Sequence, residues 1–464
     1  MKIKVIRFSS VLLLATSIFS CGKGQQSTDI AVGDKVSLLE GVELDYNHAF
    51  FDDFAQGVSK DNWYIGKQAW GTSNGGVIPE NVKYTDDGVL VLTGNGNYYT
   101  DGDVRGVGDV KDGRYTGAAL ISKFTVHAGR YEIKMKVLPR QGACTAFWTY
   151  ANDVETASNH EIDIELPGGN RTGEYSFERI LNTNYITEQM NQSQDTRISD
   201  ILEDDTEVFL NDGEWHTFGF DWYTEPEKVV YYVDGHVTAI STVFIPNMES
   251  RLWIGCWFPV SSNLVGQAEF ETDNMYVDYV KYIPFKNQVV TKFTPPISGY
   301  AFDSEYPTKP IATPTINKVA NGNFEKIATT IKNNSFGAWK LNRRASAQQP
   351  LEELINIAVN EGYDQSNALC VREPGLAQQT IDSVFHNFQY DLSFFAKGNG
   401  KLTVRYYEFS GNIISSIPIT INSENLTQFT ASLVAPSNSY SMRLVLESDA
   451  GSSVVIDNVE IYQK

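Results

Sequence analysis

Alternation of apolar and polar residues is the feature that most constrains the fold of this chain. It runs through GVLVLTG (88–94), YEIKMKVL (131–138), HTFGFDWY (216–223), KVVYYVDGH (228–236) and MYVDYVKYIPF (275–285), with glycine, aspartate and asparagine between such runs. A period of two places successive side chains on opposite faces of a strand. Many short strands separated by turn signals favour a β-sandwich or jelly roll. We therefore predict an all-β fold for residues 45–286.

Length and composition indicate a second domain. The chain has 464 residues, which is too many for one small core. Residues 287–312 are rich in proline, which cannot continue a hydrogen-bonded ladder, so we predict a linker or strap there. Residues 313–464 return to a strand pattern and predict a smaller β-sandwich, with a short helix in PLEELINIAVNEG (350–362).

The N-terminus is typical of a bacterial lipoprotein signal. Lys2, Lys4 and Arg7 precede an apolar stretch at 11–19 that is too short to span a bilayer. IFSC (18–21) resembles a lipobox, so we predict a signal peptide at 1–20, lipidation of Cys21 and a flexible tether at 21–44. The lipid would anchor the protein in the bacterial cell envelope, at the outer membrane or cell surface. The alternative is an ordinary cleaved signal peptide with a chance cysteine.

Charge and cysteine content exclude several classes of protein. A formal net charge of −20 argues against binding to nucleic acid or to an anionic membrane surface, and it suits a neutral ligand. Cys144, Cys256 and Cys370 are odd in number and widely spaced, which does not indicate a disulfide framework. The six histidines are not at zinc-ligand spacing.

One segment, NHEIDIELPGG (159–169), carries three carboxylates at alternate positions, Glu161, Asp163 and Glu165. On a strand they share one face, while Ile162 and Ile164 share the other with Leu166. The apolar face is predicted to lie in a core and the acidic face to line a groove.

Three neighbouring carboxylates raise one another's pKa and titrate as a unit. A retaining glycosidase needs one ionised and one protonated carboxyl group, about 5–5.5 Å apart. Glu161 and Glu165 are four residues apart, about 13 Å on a flat strand, so this chemistry requires a curved sheet. Two alternatives stay open at this point, an ordinary solvated strand and a site for calcium or magnesium.

The wider sequence resembles glycoside hydrolase family 16, which includes lichenases, laminarinases and agarases. The segments that carry the resemblance follow the family order: NGGVIPENV (74–82), GRYEIKMKVLP (129–139), GACTAFWTY (142–150), HEIDIE (160–165), EWHTFGFDW (214–222) and VVYYVDG (229–235). The resemblance implies a jelly roll of two curved antiparallel sheets with a cleft on the concave one.

Roles follow from the matched positions. The resemblance implies that Glu161 is the nucleophile, Asp163 its helper and Glu165 the acid/base. It implies substrate contacts for four residues: Trp148, Tyr150, Asn184 and Trp257. For Trp257, core packing is an equal alternative, and for Trp70, Trp215 and Trp222 it is the expectation.

Two departures from lichenases leave the substrate open. Asn159 stands where lichenases carry an aromatic residue, and AALISK (118–123) is apolar where they carry a glutamate and an arginine. A β-1,3/1,4-glucan is the leading substrate, while xyloglucan and an algal or host β-galactan remain alternatives.

The C-terminal region resembles carbohydrate-binding modules of the family 4/9 type through NGNFE (321–325), GAWKL (337–341), YDLSFFAKG (390–398) and VVIDNVEIY (454–462). Such modules often hold a structural calcium, which would place Glu325 and Asp457 as ligands; both could equally be turn or strand-edge acids. Trp339, Tyr406 and Tyr407 are either a sugar platform or core residues.

The sequence thus predicts a monomeric, lipid-anchored, retaining endo-β-glycanase that needs no cofactor for catalysis. The competing hypotheses are an endo-β-galactanase, a transglycosylase and a non-catalytic glycan-binding lipoprotein.

Overall fold

The computed structural model describes residues 30–68, 76–99, 115–156, 158–167, 180–187, 189–193, 210, 212–259, 265–296, 302–303, 306–325, 331, 333–344, 347–385, 387–408 and 410–464. Cys21 and Trp70 lie outside the described residues, as does the predicted signal peptide. Among the residues described, no helix has both the length and the apolar character needed to cross a membrane.

The first domain is all β, as predicted. Its strands and the strand of the following strap are β1 (Phe50–Asp52), β2 (Trp63–Gly66), β3 (Val82–Tyr84), β4 (Leu90–Asn95), β5 (Ala118–Ser122), β6 (Gly129–Lys136), β7 (Cys144–Asp153), β8 (Ser158–Pro167), β9 (Leu181–Ile186), β10 (Gln189–Ser193), β11 (His216–Thr224), β12 (Glu227–Val233), β13 (His236–Ser241), β14 (Arg251–Trp257), β15 (Thr272–Pro284) and β16 (Phe302–Asp303). Single 3-10 turns lie at Tyr46–His48 and Pro79–Asn81.

Two antiparallel sheets face each other in this domain. The back sheet has the order β13, β12, β11, β6, β15, β4, β3, with β1 also paired to β15. The front sheet has the order β10, β9, β8, β7, β14, β5, β2, β16. Some neighbours in each sheet are distant in sequence, for example β6 with β15 and β7 with β14, so these pairs form only when the whole domain folds.

The core lies between the inner faces of these sheets. From β8, Ile162, Ile164 and Leu166 are all buried in it, which confirms the predicted apolar face. They meet a layer of back-sheet aromatics that includes Tyr131 and Phe220, whose rings stack at 4.6 Å. Each fully buried side chain of this size stabilises the fold by about 1.5–3 kcal/mol.

Residues 30–44 pack on the outer face of the back sheet. Ile30, Leu39 and Val42 are buried in a small cluster that includes Tyr223. The Gly33 amide donates to the carbonyl of Val237 at 2.8 Å. The prediction that the flexible tether extends to residue 44 is therefore wrong for residues 30–44, because their apolar side chains cover apolar strand residues that would otherwise face solvent.

The proline-rich segment is held against the first domain as a strap. Its strand β16 adds to the edge of the front sheet at β2. The guanidinium of Arg251 donates to the carbonyl of Pro295 at 3.2 Å, and the hydroxyl of Tyr306 donates to the carbonyl of Trp63 at 2.6 Å. Of the two predicted forms, linker or strap, the described contacts are those of a strap.

The second domain is also β. Its elements are β17 (Ser335–Phe336), β18 (Trp339–Arg343), α1 (Leu351–Leu354), β19 (Ile355–Ala358), β20 (Ala368–Arg372), β21 (Gly375–Asp382), β22 (Gln389–Tyr407), β23 (Ile413–Val434), β24 (Ser441–Ser448) and β25 (Ser453–Gln463), with a 3-10 turn at Tyr363–Gln365. The predicted helix stops after one turn, because Ile355 and Ile357 are β-branched residues that pair with β20. Trp339 and Tyr406 are fully buried and Tyr407 nearly so, which places all three in the core or at its edge rather than on a sugar platform.

A buried ionic cluster joins the two domains. Arg140, which is 2% exposed, pairs with Asp382 of β21 at 2.8 Å and with Asp273 of β15 at 3.1 Å. Lys318, at the start of the second domain, pairs with the same Asp273 at 3.1 Å. Water is largely excluded from these charges, so each depends on its partners across the interface.

The three cysteines of the described chain, Cys144, Cys256 and Cys370, are buried free thiols.

Candidate active site

Strand β8 presents its three carboxylates on the outer face of the front sheet. Register with β7 places Glu161 opposite Tyr150, Asp163 opposite Trp148, and Glu165 opposite Ala146. Because the intervening isoleucines are in the core, this register cannot slip by one residue without burying the acids. The predicted separation of an acidic face from an apolar face is therefore correct.

The carboxylates are poorly hydrated and interact with one another. Asp163 is only 6% exposed, and it is hydrogen-bonded to Glu161. Burial, together with the charges of Glu161 and Glu165, raises the pKa of Asp163 well above its usual range. A protonated Asp163 therefore donates a hydrogen bond to the Glu161 carboxylate.

Burial is the main reason that the pKa of each glutamate is raised to about 7. Burial raises the pKa of Glu161 to about 7, although hydrogen bonds from Asn159 and Asp163 oppose the shift. Burial and the charge of Glu161 raise the pKa of Glu165 to about 7, against a weak opposing contribution from Cys144. The charge of one glutamate thus acts on the other, so one ionised and one protonated carboxyl group is the favoured arrangement near pH 7.

Each glutamate has its own polar neighbour. The side-chain amide of Asn159 donates to Oε2 of Glu161 at 3.1 Å. The thiol of Cys144 lies 3.7 Å from Oε1 of Glu165, at the other end of the site. An amide stabilises a carboxylate more than a thiol does, so the ionised state is better supported on Glu161.

Two of the predicted substrate-binding residues stand beside the acids. Trp148 and Tyr150 are half-buried on the same face of β7 as Ala146. Trp148 stacks on Trp253 of β14 with ring centroids 5.3 Å apart, and Tyr150 meets the same ring edge-on at 6.1 Å. These rings form an aromatic surface next to the carboxylates, of the kind that suits the apolar face of a sugar.

Trp257 also lies on this face. It is half-buried at the end of β14, where it pairs with Cys144. Its pairing with Cys144 places it at the end of the site where Glu165 lies.

Asn184 lies on the opposite face, and the prediction that it contacts substrate is wrong. It is fully buried and pairs in register with Ile162. Its amide donates to the carbonyls of Val243 and Phe244, at 2.8 Å each. The pairing of β9 with β8 fixes this inward orientation, and Asn184 stabilises a loop instead of binding a ligand.

The remaining tryptophans divide between core and surface. Trp222 is buried and its indole donates to the carbonyl of Pro246 at 2.7 Å, as core packing requires. The expectation of core packing is wrong for Trp215, which is half-buried with the ammonium groups of Lys134 and Lys136 over its ring at 5.6 and 5.3 Å. It shares strand parity with Thr217 and so lies on the outer face of the back sheet.

Sequence reasoning missed Tyr185 and Trp253. Tyr185 pairs with Glu161 across β9, and burial and the three nearby acids raise its pKa. Trp253 could have been found, because it precedes Trp257 by four residues and therefore shares its face on a strand. Tyr185 could not, because its place depends on the register of β9.

In the second domain, Glu325 and Asp457 lie at the same loop. Asp457 is 1% exposed; its Oδ2 accepts from the amide of Tyr363 at 2.8 Å and the hydroxyl of Ser366 at 2.6 Å. Glu325 accepts from the amide of Asn367 at 2.5 Å. The other oxygen of Asp457 is buried and has no hydrogen-bond partner in the described part of the chain. Within that part, no three His, Cys, Asp or Glu side chains group as a metal site.

Residues 77–278 match the family model Glycosyl hydrolases family 16. A xylanase/beta-glucanase of Ruminococcus flavefaciens is 26% identical over 224 residues, 47% of this chain and 24% of that protein. A beta-glucanase of Paenibacillus macerans is 26% identical over 203 residues, 42% of this chain and 73% of that protein. A beta-glucanase of Bacillus amyloliquefaciens is 28% identical over 129 residues, 28% of this chain and 47% of that protein. The chain thus spans less than half of the first and third of these relatives.

Solved structures also resemble this chain at low sequence identity. The Bacillus licheniformis beta-glucanase is 19% identical with a TM-score of 0.41, covering 51% of this chain and 99% of that chain. The catalytic domain of an endo-1,3-beta-glucanase (laminarinase) from Thermotoga petrophila is 18% identical with a TM-score of 0.41, covering 54% of this chain and 100% of that chain. The match to the family model Glycosyl hydrolases family 16 spans residues 77–278, which include the three carboxylates of β8.

Proposed function

We propose that this protein is a retaining endo-β-glycanase that hydrolyses internal β-glycosidic bonds of a polysaccharide. The observation that carries the proposal is the set of Glu161, Asp163 and Glu165 on one face of β8, with the pKa of both glutamates raised to about 7. Near neutral pH such a pair supplies one nucleophile and one acid, the two states that retaining hydrolysis requires.

In the first step the ionised Glu161 attacks the anomeric carbon, and the bond from that carbon to the leaving oxygen breaks. Glu165 gives its proton to that oxygen. A covalent ester of Glu161 with the sugar forms. In the second step Glu165 takes a proton from water, the water oxygen attacks the same carbon, and the ester bond breaks. Two inversions leave the anomeric configuration unchanged.

The surroundings of the glutamates support this assignment of roles. Glu161 receives hydrogen bonds from Asn159 and Asp163, which stabilise its carboxylate. Glu165 has the weaker thiol donor of Cys144 and lies in the field of Glu161, which favours its protonated form. Asp163 acts between them, because its proton moves toward Glu161 when Glu161 leaves the ester.

For the substrate we propose a β-1,3/1,4-glucan, since the relatives are named as beta-glucanases. The runner-up is a β-galactan of algal or host origin. It stays an alternative because the front face of β5 is apolar, with Ala119 paired to Gly255 and Ile121 to Trp253, and so differs from the lichenase pattern. Polar contacts to a glucan are absent at these two positions.

The test uses the parent protein, Glu161→Gln and Glu165→Gln against laminarin, lichenan, xyloglucan, agarose, porphyran and mucin glycans. We expect oligosaccharides of mixed length from one of these polymers, with retained configuration by NMR, and a loss of at least about a thousandfold in both variants. Glu227→Gln, an exposed glutamate of β12, is the matched control and should keep parent activity. Parent activity in Glu161→Gln would disprove the assignment. Binding without products would favour a non-catalytic glycan binder, and products longer than the substrate a transglycosylase.

We further propose that the second domain binds the polysaccharide. A groove of about 700 Å³ on this domain supports the idea, because polar side chains from several strands line it. Arg372 and Asn356 hydrogen-bond at 2.6 Å, and Lys397 pairs with Glu361 at 3.0 Å. Retention of full-length Glu161→Gln on insoluble polysaccharide should fall when Arg372→Ala is added. Equal retention would oppose the proposal.

A calcium ion is proposed at Glu325 and Asp457, with no cofactor proposed for catalysis. The partnerless buried oxygen of Asp457 and the adjacent Glu325 carboxylate are oxygen donors of the type calcium prefers. When bound, the ion would tie the loop at Asn367 to β25. Calcium should raise the melting temperature of the parent and leave that of Asp457→Asn unchanged, while EDTA should leave activity intact. No change in the parent would rule the ion out.

For localisation, we propose a lipid anchor on Cys21 in the bacterial cell envelope, at the outer membrane or cell surface, and a monomeric protein that does not bind nucleic acid. Incorporation of labelled palmitate in the native host should depend on Cys21 and disappear in Cys21→Ala. Labelling that survives this change would show that the anchor is elsewhere.

A further inference from the structure

The side-chain oxygen of Asn159 has no part in the roles given above, which use only its amide nitrogen. Asn159 lies on the same face of β8 as Glu161, two residues before it, opposite Asn152 of β7. Its backbone is fixed on the other side as well, where its carbonyl accepts from the amide of Thr187 at 2.7 Å. The side chain therefore projects from a rigid strand rather than from a mobile loop.

The nitrogen and the oxygen of the Asn159 side-chain amide differ in their hydrogen bonding. The nitrogen donates to Oε2 of Glu161 at 3.1 Å. The oxygen is shielded from solvent and has no hydrogen-bond partner among the described residues. A buried acceptor without a partner is costly, and protein structures rarely keep one without a ligand or water to satisfy it.

A sugar is the ligand that would complete this arrangement. The unit attacked by Glu161 must sit directly over that carboxylate, so its hydroxyl groups come within reach of the neighbouring amide. A hydroxyl donates to an amide oxygen, and an amide nitrogen cannot play that part. The half-buried side chains of Tyr150 and Tyr185 flank Glu161 on the two adjacent strands, and Asn159 lies beside Glu161 on the same strand.

We propose that Asn159 has two roles: its nitrogen positions the carboxylate of Glu161, and its oxygen accepts a hydrogen bond from a hydroxyl of the sugar unit bound over Glu161. This inference rests on the proposed hydrolysis. It names a hydroxyl-bearing sugar ring as the group recognised, and it makes Asn159 a positioning residue that also contributes to substrate selection.

The experiment compares Asn159→Ala, the isosteric Asn159→Asp and the matched control Asn152→Ala, on the polymer that the parent hydrolyses. Asn159→Ala removes both hydrogen bonds. The acidic limb of its kcat/KM profile should move up by about one pH unit, because Glu161 loses a donor that favours its ionised form. Its KM should rise about two- to tenfold through loss of the sugar contact.

Asn159→Asp keeps an acceptor but places a second charge beside Glu161. Its acidic limb should move further up than that of Asn159→Ala, while its KM changes less. Asn152→Ala should match the parent in both quantities. A melting temperature within about 1–2 °C of the parent shows that folding is intact.

Several results would overturn the proposal. If Asn159→Ala keeps the parent pH profile, Asn159 does not position Glu161. If its KM is unchanged on every active polymer, the oxygen does not bind sugar. If its melting temperature falls while the kinetics of Asn159→Asp match the parent, the residue is only structural. A parent protein without activity on any polymer would instead refute the proposed hydrolysis.

Discussion

The buried ionic cluster between the domains gives the sharpest prediction about stability. The substitution is Arg140→Met, which keeps an unbranched side chain and removes the charge. Arg140 is 2% exposed, and it bonds Asp382 at 2.8 Å, the carbonyl of Lys318 at 3.2 Å and Asp273 at 3.1 Å. Without it, two carboxylates share one remaining counter-charge, that of Lys318.

The size of the effect follows from burial. Removing one partner of a buried ion pair costs about 3–5 kcal/mol, mostly because the other charge stays desolvated. Unfolding entropy is about 2.1 cal/mol/K per residue, so a chain of 464 residues that melts as one unit loses roughly 1 °C per kcal/mol. We expect the melting temperature of Arg140→Met to fall by about 3–5 °C.

The matched control lies at the same interface. Lys340 and Glu269 pair at 2.9 Å, but both side chains are 48% exposed. Lys340→Met should therefore cost about 0–1 kcal/mol. Scanning calorimetry on the full-length proteins measures both effects. If this ionic cluster couples the two domains, calorimetry of Arg140→Met should also show a separate melting transition for each domain.

A double variant adds a second check. Arg140→Met with Asp382→Leu removes one of the stranded carboxylates and should recover part of the lost stability. If Arg140→Met melts within about 1 °C of Lys340→Met, the reasoning from burial is refuted. The same holds if the double variant is less stable than Arg140→Met.

Two further predictions concern the acids. Cys144→Ala should move the alkaline limb of the kcat/KM profile to higher pH, since Glu165 loses the donor that lowers its pKa; Cys256→Ala, whose thiol faces a core carbonyl, should not. An unmoved limb would mean that the thiol does not act on Glu165. The pKa of Glu165 rises from 4.5 unfolded to about 7 folded, so its contribution to stability is largest below pH 4.5 and is lost as pH rises through 7. The melting temperature of Glu165→Gln relative to the parent should therefore increase across that range, and a flat difference would contradict the shift.

Local pattern was enough to predict the class of fold and the central strand. Period-two alternation gave the all-β fold, and within β8 it separated Glu161, Asp163 and Glu165 from Ile162 and Ile164. These features depend only on strand geometry, which every residue of an extended chain obeys. The roles of the acids and the expected position of Trp148 came from the family resemblance.

Contacts that depend on which strands pair, and in which register, could not be predicted from the sequence pattern. Asn184 faces the core because β9 pairs with β8 in one register, and Trp253 joins Trp148 because β14 lies beside β7. The partners of residues 30–44 lie about 180 or more residues away, on β11–β13 and just after β15. Local sequence pattern does not predict such long-range contacts, because they depend on how two sheets and two domains bury their faces together.

The sequence by itself determined that three acids would share one solvent-facing side of a strand. The tertiary structure determined which of these acids is protonated. Folding brought Cys144 of β7 to Glu165 of β8, buried Asp163 and half-buried the two glutamates. The protonation states follow from that desolvation and from those neighbours, which exist only once the sheets have assembled.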